Sequence, residues 1–121
     1  MGKKVLLVDD MRTVIMSEKM MLAGQGYEIE TASDGLEAIA KVAAKKPDII
    51  LLDLMMPRMN GIETCERLKG DPETCDIPII MVTTKGEKDK VQAAFAAGCN
   101  DYVTKPINKM QLLTKMRNLL L

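Results

Sequence analysis

Residues 49–53, Ile49-Ile50-Leu51-Leu52-Asp53, set four consecutive apolar side chains ahead of a carboxylate, and three other short runs likewise end on polar residues. Val5-Leu6-Leu7-Val8 runs into Asp9-Asp10, Ile79-Ile80-Met81-Val82 into Thr83-Thr84, and Tyr102-Val103-Thr104 into Lys105-Pro106. A short apolar run bounded by polar residues reads as a strand buried on both faces, as in a parallel sheet. Open α/β sheets bind ligands in the crevice beyond the carboxyl ends of their strands. The three carboxylates Asp9, Asp10 and Asp53, the Thr83 hydroxyl and the Lys105 ammonium are therefore expected to meet in one shallow pocket.

The segments between these runs read as helices. A helix is expected over about 12–24, stopping at Gly24-Gln25-Gly26, with Val14, Met21 and Leu22 buried. Glu18 falls on that same face, where a carboxylate needs a partner; Lys115 or Arg117 on the last helix is the expected one. Tyr27-Glu28-Ile29-Glu30-Thr31-Ala32 alternates in polarity, as an edge strand does. Ser33-Asp34-Gly35 opens a helix over about 35–45, with Leu36, Ile39, Ala40 and Ala43 on one face, and Lys46-Pro47-Asp48 ends it. Gly61 opens a third helix with Ile62, Cys65 and Leu68 inward, and a polar loop from Gly70 to Pro78 follows. Gly86 precedes a helix carrying Val91, Ala94, Phe95 and Ala97, which ends at Gly98. The last helix, from about residue 108, places Leu112, Met116, Leu119 and Leu120 on one stripe. Strands alternating with short helices mean βαβ units with right-handed crossovers. The expected fold is a doubly wound three-layer α/β sandwich, one domain over residues 1–121, with no output domain in the chain.

Composition narrows the function classes. With 47% hydrophobic and 28% charged residues the chain has the balance of an ordinary globular domain. Lys+Arg and Asp+Glu both number 17, so the basic excess that marks nucleic-acid or acidic-membrane partners is missing. No apolar stretch reaches the roughly 18 residues of a membrane span. Gly2-Lys3-Lys4-Val5 runs straight into the first strand, so no signal peptide and a cytoplasmic location are expected. Cys65, Cys75 and Cys99 lack metal-ligand spacing and read as reduced thiols, a Cys65–Cys75 bridge being the less favoured alternative. There is no histidine, which removes Ser-His and Cys-His catalysis and most zinc sites. The eleven methionines read mainly as adaptable core filler, with Met11, Met55 and Met56 flanking the pocket.

Four motifs, VLLVDD (5–10), ILLDLMMPRMNG (50–61), MVTT (81–84) and DYVTKP (101–106), occur in this order and spacing. With them the chain resembles the bacterial two-component response-regulator receiver domains, chemotaxis-like single-domain regulators included, over essentially its whole length. The resemblance implies a flavodoxin-like five-stranded parallel sheet in the order 2-1-3-4-5. It implies Asp53 as phosphoacceptor, with Asp9, Asp10, Asp53 and the backbone carbonyl of Met55 around a magnesium ion, for which manganese can substitute. Asp10 would bind the metal directly and Asp9 through water. It makes Thr83 and Lys105 partners of phosphoryl oxygens and Tyr102 the aromatic position whose rotamer reports activation. It also favours a cis Lys105–Pro106 bond that aims the Lys105 side chain into the pocket.

The chemistry suits these residue types. A carboxylate is a weak nucleophile toward a phosphoryl group, and a divalent cation among Asp9, Asp10 and Asp53 lowers the repulsion between them. Magnesium prefers oxygen ligands and keeps several waters. Lys105 offers a point charge to the attached phosphoryl group, and Thr83 a directional donor. Drawing Thr83 inward would open space for Tyr102 and change the surface formed by the fourth helix, fifth strand and fifth helix. Thr84, Lys85 and Met56 are expected at the rim. Met55 cannot orient an attacking water, so slow self-catalysed loss of the phosphoryl group is expected.

The expected partners are a sensor histidine kinase or phosphotransfer protein and a downstream protein target, with phosphorylation-induced dimerisation left open. Three other functions compete. A haloacid-dehalogenase-type phosphatase needs a general acid two residues after its nucleophile, where this chain has Met55. An FMN-binding flavodoxin needs a Ser, Thr and Gly-rich loop after the first strand, where this chain has Asp9-Asp10-Met11. A receiver that signals without phosphorylation usually loses one key residue, and all of them are present here.

Overall fold

Side chains alternate across a strand, so each apolar run supplies both faces of a sheet. In the computed structural model, which describes residues 2–121, five strands lie parallel. They are β1 (Lys4–Val8), β2 (Glu28–Ala32), β3 (Ile49–Asp53), β4 (Ile79–Thr83) and β5 (Asp101–Thr104), in the spatial order β2-β1-β3-β4-β5. The helices are α1 (Arg12–Leu22), α2 (Gly35–Ala44), α3 (Gly61–Lys69), α4 (Lys88–Ala96) and α5 (Lys109–Leu119). This is the expected doubly wound, flavodoxin-like sandwich.

Two cores result from the alternation. Leu6, Val8, Ile50, Leu52 and Met81 face a layer that includes Ala38 and Val42 of α2, Cys65 and Leu68 of α3, and Ala94 of α4. Val5, Leu7, Ile49, Leu51, Ile80 and Val82 face Leu22 of α1 and Leu112, Leu113 and Met116 of α5. β1, β3 and β4 are buried throughout, whereas β2 and β5 are only partly buried at the two edges.

Local chemistry sets the helix starts. The Asp34 side chain accepts from the Glu37 N–H (2.8 Å), and the Glu37 carboxylate in turn accepts from the Ser33 N–H (2.6 Å). Asn60 and Glu63 make a reciprocal capping box on α3, and Asn108 accepts from the Gln111 N–H on α5. α1 has no side-chain cap, because Met11 occupies that position.

Several details differ from the sequence reading. α1 ends at Leu22; Leu22 and Glu18 are buried on the expected face, while Val14 and Met21 are only half-buried, with Ile15 beside them. On α2 the buried positions are Gly35, Ala38 and Val42; Leu36, Ala40 and Ala43 are exposed and Ile39 is half-buried. An idealised wheel misplaces the α2 face because α2 also packs on α3, so small residues are needed where the two helices approach. Gly35 shows the constraint, since a Cβ there would collide with the Thr64 hydroxyl. Gly86 lies within a 3-10 turn (Lys85–Glu87), and Phe95 of α4 is exposed. All three cysteines are free thiols, and burial pushes Cys65 up to about 12 and Cys99 up to about 11. No helix among the described residues is long and apolar enough to cross a membrane.

Candidate functional site

The carboxyl ends of β1 and β3 are adjacent in the sheet, and that adjacency brings the acidic residues together. Asp9, Asp10 and Asp53 each offer a carboxylate oxygen, all within 4.8 Å of one another. Asp9 and Asp53 are buried and Asp10 is exposed at the mouth. From the link after β5, the Lys105 ammonium donates to Asp9 Oδ2 at 3.3 Å and to Asp53 Oδ1 at 3.2 Å. The Lys105–Pro106 bond is cis, as expected.

The electrostatics follow from this crowding. Burial raises the Asp53 pKa to about 6; Asp9 adds to the rise and Lys105 opposes it. Burial works against the charge on Lys105, but Asp53 and Asp9 outweigh it and hold the ammonium above its usual value. Three carboxylates facing one ammonium leave an excess of negative charge. An all-oxygen donor set with such an excess fits a hard divalent cation. Asp9 also has a local duty: its Oδ1 accepts from the Met11 N–H at 2.9 Å and shapes the turn into α1.

Gly61 lets the β3–α3 connection close tightly. A Cβ at Gly61 would fall against the Asp53 carbonyl oxygen and 2.9 Å from Leu54 Cα, while the Gly61 N–H donates to the Leu54 carbonyl at 2.8 Å. Across the same loop Arg58 adopts a left-handed backbone (φ 66°) and pairs with Asp34, the capping residue of α2. The Glu37 N–H and Arg58 hold the Asp34 carboxyl below its ordinary range. Met59 is buried beneath this link, so the segment carrying Met55 and Met56 is braced at its far end.

Thr83 ends β4, buried, with its hydroxyl donating to the Val103 carbonyl at 3.4 Å. A cavity of about 250 Å³ lies beyond it, lined by Thr83, Thr84, Val91, Tyr102 and Thr104 among others. The Tyr102 ring meets Phe95 edge-on, with centroids 6.0 Å apart, and Lys115 Nζ stands 5.0 Å over its face. Lys85 and Thr84 are exposed at the edge of this cavity, though the Thr84 hydroxyl is committed to Glu87 at 2.9 Å. Met11 and Met55 are exposed, and Met56 is half-buried against the core.

Glu18 does not pair with the last helix. Lys115 donates instead to Asp101 Oδ1 (3.1 Å) and to the Tyr102 carbonyl, and Arg117 is exposed. Glu18 is 1% exposed, and its Oε1 has no hydrogen-bond partner among the described residues. Its charged neighbours are Asp9, Lys105 and Asp53, so it lies behind the acidic pocket rather than across the sheet edge. Burial, reinforced by Asp9, pushes its pKa up to about 8. The Arg58–Asp34 pair and the Phe95–Tyr102 contact join residues from different βα units, and no local pattern announces them.

Comparison with known proteins identifies the family and the fold. A family model described as the response regulator receiver domain matches residues 5–117. The response regulator MprA of Mycobacterium tuberculosis is 40% identical over 120 residues, covering 99% of this chain and 51% of that protein. The response regulator PleD of Caulobacter vibrioides is also 40% identical, covering 98% of this chain and 26% of its own length. The chain thus spans about half or less of these two relatives. The chemotaxis protein CheY4 of Vibrio cholerae superposes with a TM-score of 0.91 at 35% identity, covering 99% of this chain and 100% of that one.

Proposed function

The chain belongs to the response regulator receiver domain family, the phosphorylation-dependent modules of two-component signalling, and from that premise we propose that Asp53 is its phosphoacceptor. The observation that carries this reading is the placement of Asp53 against Asp9, Asp10 and Lys105 at the β1/β3 crevice. Asp9, Asp10, Asp53 and the backbone carbonyl of Met55 would hold magnesium or manganese. The bound ion supplies charge neutralisation between carboxylate and phosphoryl group.

An Asp53 carboxylate oxygen attacks phosphorus, forming an O–P bond as the bond from phosphorus to the donor breaks. The donor leaves as the neutral imidazole of a histidine kinase or phosphotransfer protein, after protonation by solvent, or as acetate when acetyl phosphate is used. Lys105, already beside Asp53, pairs with a phosphoryl oxygen and offsets the added charge. The Thr83 hydroxyl, held only by a long bond to Val103, turns to donate to another. Movement of Thr83 enlarges the cavity at Tyr102, and the ring leaves Phe95 and Lys115 to enter it. The α4-β5-α5 face changes accordingly and is read by a downstream protein.

The test is intact-mass spectrometry after incubation with acetyl phosphate and magnesium, beside Asp53→Asn. One phosphoryl adduct, dependent on magnesium and absent from the variant, is the expected result. An adduct that persists in Asp53→Asn would remove Asp53 from this role.

A further inference from the structure

Lys90, on the first turn of α4, is half-buried and has an unusual partner. Its ammonium donates to the thioether sulfur of Met55 at 3.4 Å. Met55 stands two residues after Asp53 and is itself exposed at the pocket mouth. Among the described residues no carboxylate lies within ion-pair distance of Lys90. Thioether sulfur is a weak acceptor, so little holds the ammonium where it rests. The nearby acid Glu87 turns one carboxylate oxygen to the Thr84 N–H (2.7 Å) and hydroxyl (2.9 Å) and makes no ion pair with Lys90.

A lysine whose ammonium rests on a thioether, with no carboxylate paired to it, has charge to offer an incoming anion. Lys105 reaches Asp53 from the β5 side and is already engaged with two carboxylates. Lys90 approaches from α4, over Met55. A phosphoryl group brings close to two negative charges and three acceptor oxygens. The pocket's own donors, Lys105 and Thr83, leave the outward-facing part of that charge to whatever lines the mouth.

Resting on the assignment of Asp53 as phosphoacceptor, we infer that Lys90 is a second phosphoryl-binding cation, which moves from Met55 Sδ onto the phosphoryl group. The move has a structural consequence. It ties the first turn of α4 to the modified Asp53, so occupancy of the pocket is transmitted to α4 directly as well as through Thr83 and Tyr102. Anionic phosphodonors would also meet this cation first on their way in.

The experiment compares wild type, Lys90→Met and Lys90→Arg in magnesium with acetyl phosphate. Initial phosphorylation rates are taken by intact mass at low and raised ionic strength, followed by hydrogen exchange across residues 86–92 at matched occupancy. Methionine keeps the length of the side chain and removes its charge, whereas arginine keeps the charge. Lys90→Met is expected to phosphorylate about fivefold more slowly at low salt, the size of effect expected of a half-exposed charge pair, with a flatter salt dependence. It is also expected to lose the phosphorylation-dependent protection of the first α4 turn, and Lys90→Arg to restore both properties. Wild-type rate, salt dependence and α4 protection in Lys90→Met would overturn the inference while leaving Asp53 in place. A wild-type protein that takes no phosphoryl group would overturn the underlying reading, and this one with it.

Discussion

Replacing Glu18 by glutamine is expected to stabilise the metal-free protein, and to do so increasingly as pH rises. Glu18 is buried with an unpartnered Oε1, and its pKa stands near 8 against 4.5 for an ordinary glutamate. Between those values the unfolded chain has ionised Glu18 while the folded protein keeps it protonated. Folding then takes up a proton, so stability falls as pH rises through this window and levels off above the folded value. The groups that set the shift are Asp9 on β1, Lys105 after β5 and Asp53 on β3, with burial the largest cause. Each pKa unit corresponds to about 1.4 kcal/mol, so the wild type loses about 3 kcal/mol between about pH 5.5 and about pH 7.5 that the glutamine variant keeps. Asp53 titrates in the same direction in both proteins, so only its coupling to Glu18 enters the difference. Urea unfolding of both proteins in EDTA at the two pH values measures the difference directly. A wild-type-minus-variant difference that does not change with pH would show that Glu18 is ionised in the fold, and the reasoning about its burial would be wrong.

Two further outcomes follow from the site. Gly61→Ala drives a methyl group into the backbone of Asp53 and Leu54, and is expected to lower Tm by roughly 5–10 °C, read by calorimetry. An unchanged Tm would mean that the β3–α3 connection relaxes freely. Met55→Asn places an amide where a thioether now stands, and loss of the phosphoryl group after donor removal should become several-fold faster, followed by intact mass. Equal decay would mean that the lack of a water-orienting group at position 55 is not what keeps the loss slow.

Much of this protein was legible along the chain. The runs 5–8, 49–52 and 79–82 are short, apolar throughout and bounded by polar residues, which reads as strands buried on both faces. In a parallel sheet every such strand delivers its last residue to the same edge. That rule alone brings Asp9, Asp10, Asp53, Thr83 and Lys105 to one place, without any knowledge of the packing between helices. The edge position of β2 was legible for the same reason, since Glu28 and Glu30 interrupt its apolar pattern.

Tertiary structure decided what depends on contacts between units distant in sequence. The inward face of α2 is set by how closely α3 approaches rather than by an ideal wheel, and Glu18, inward as its helix face requires, lies behind the acidic pocket instead of against Lys115. Lys115 was captured by Asp101 and the Tyr102 carbonyl. Arg58 met Asp34 across 24 residues, and Lys90 met Met55 across 35. Burial pattern is a local property that the order of residues carries. The partner of a charged side chain is a property of three-dimensional distance, fixed only when the layers have packed.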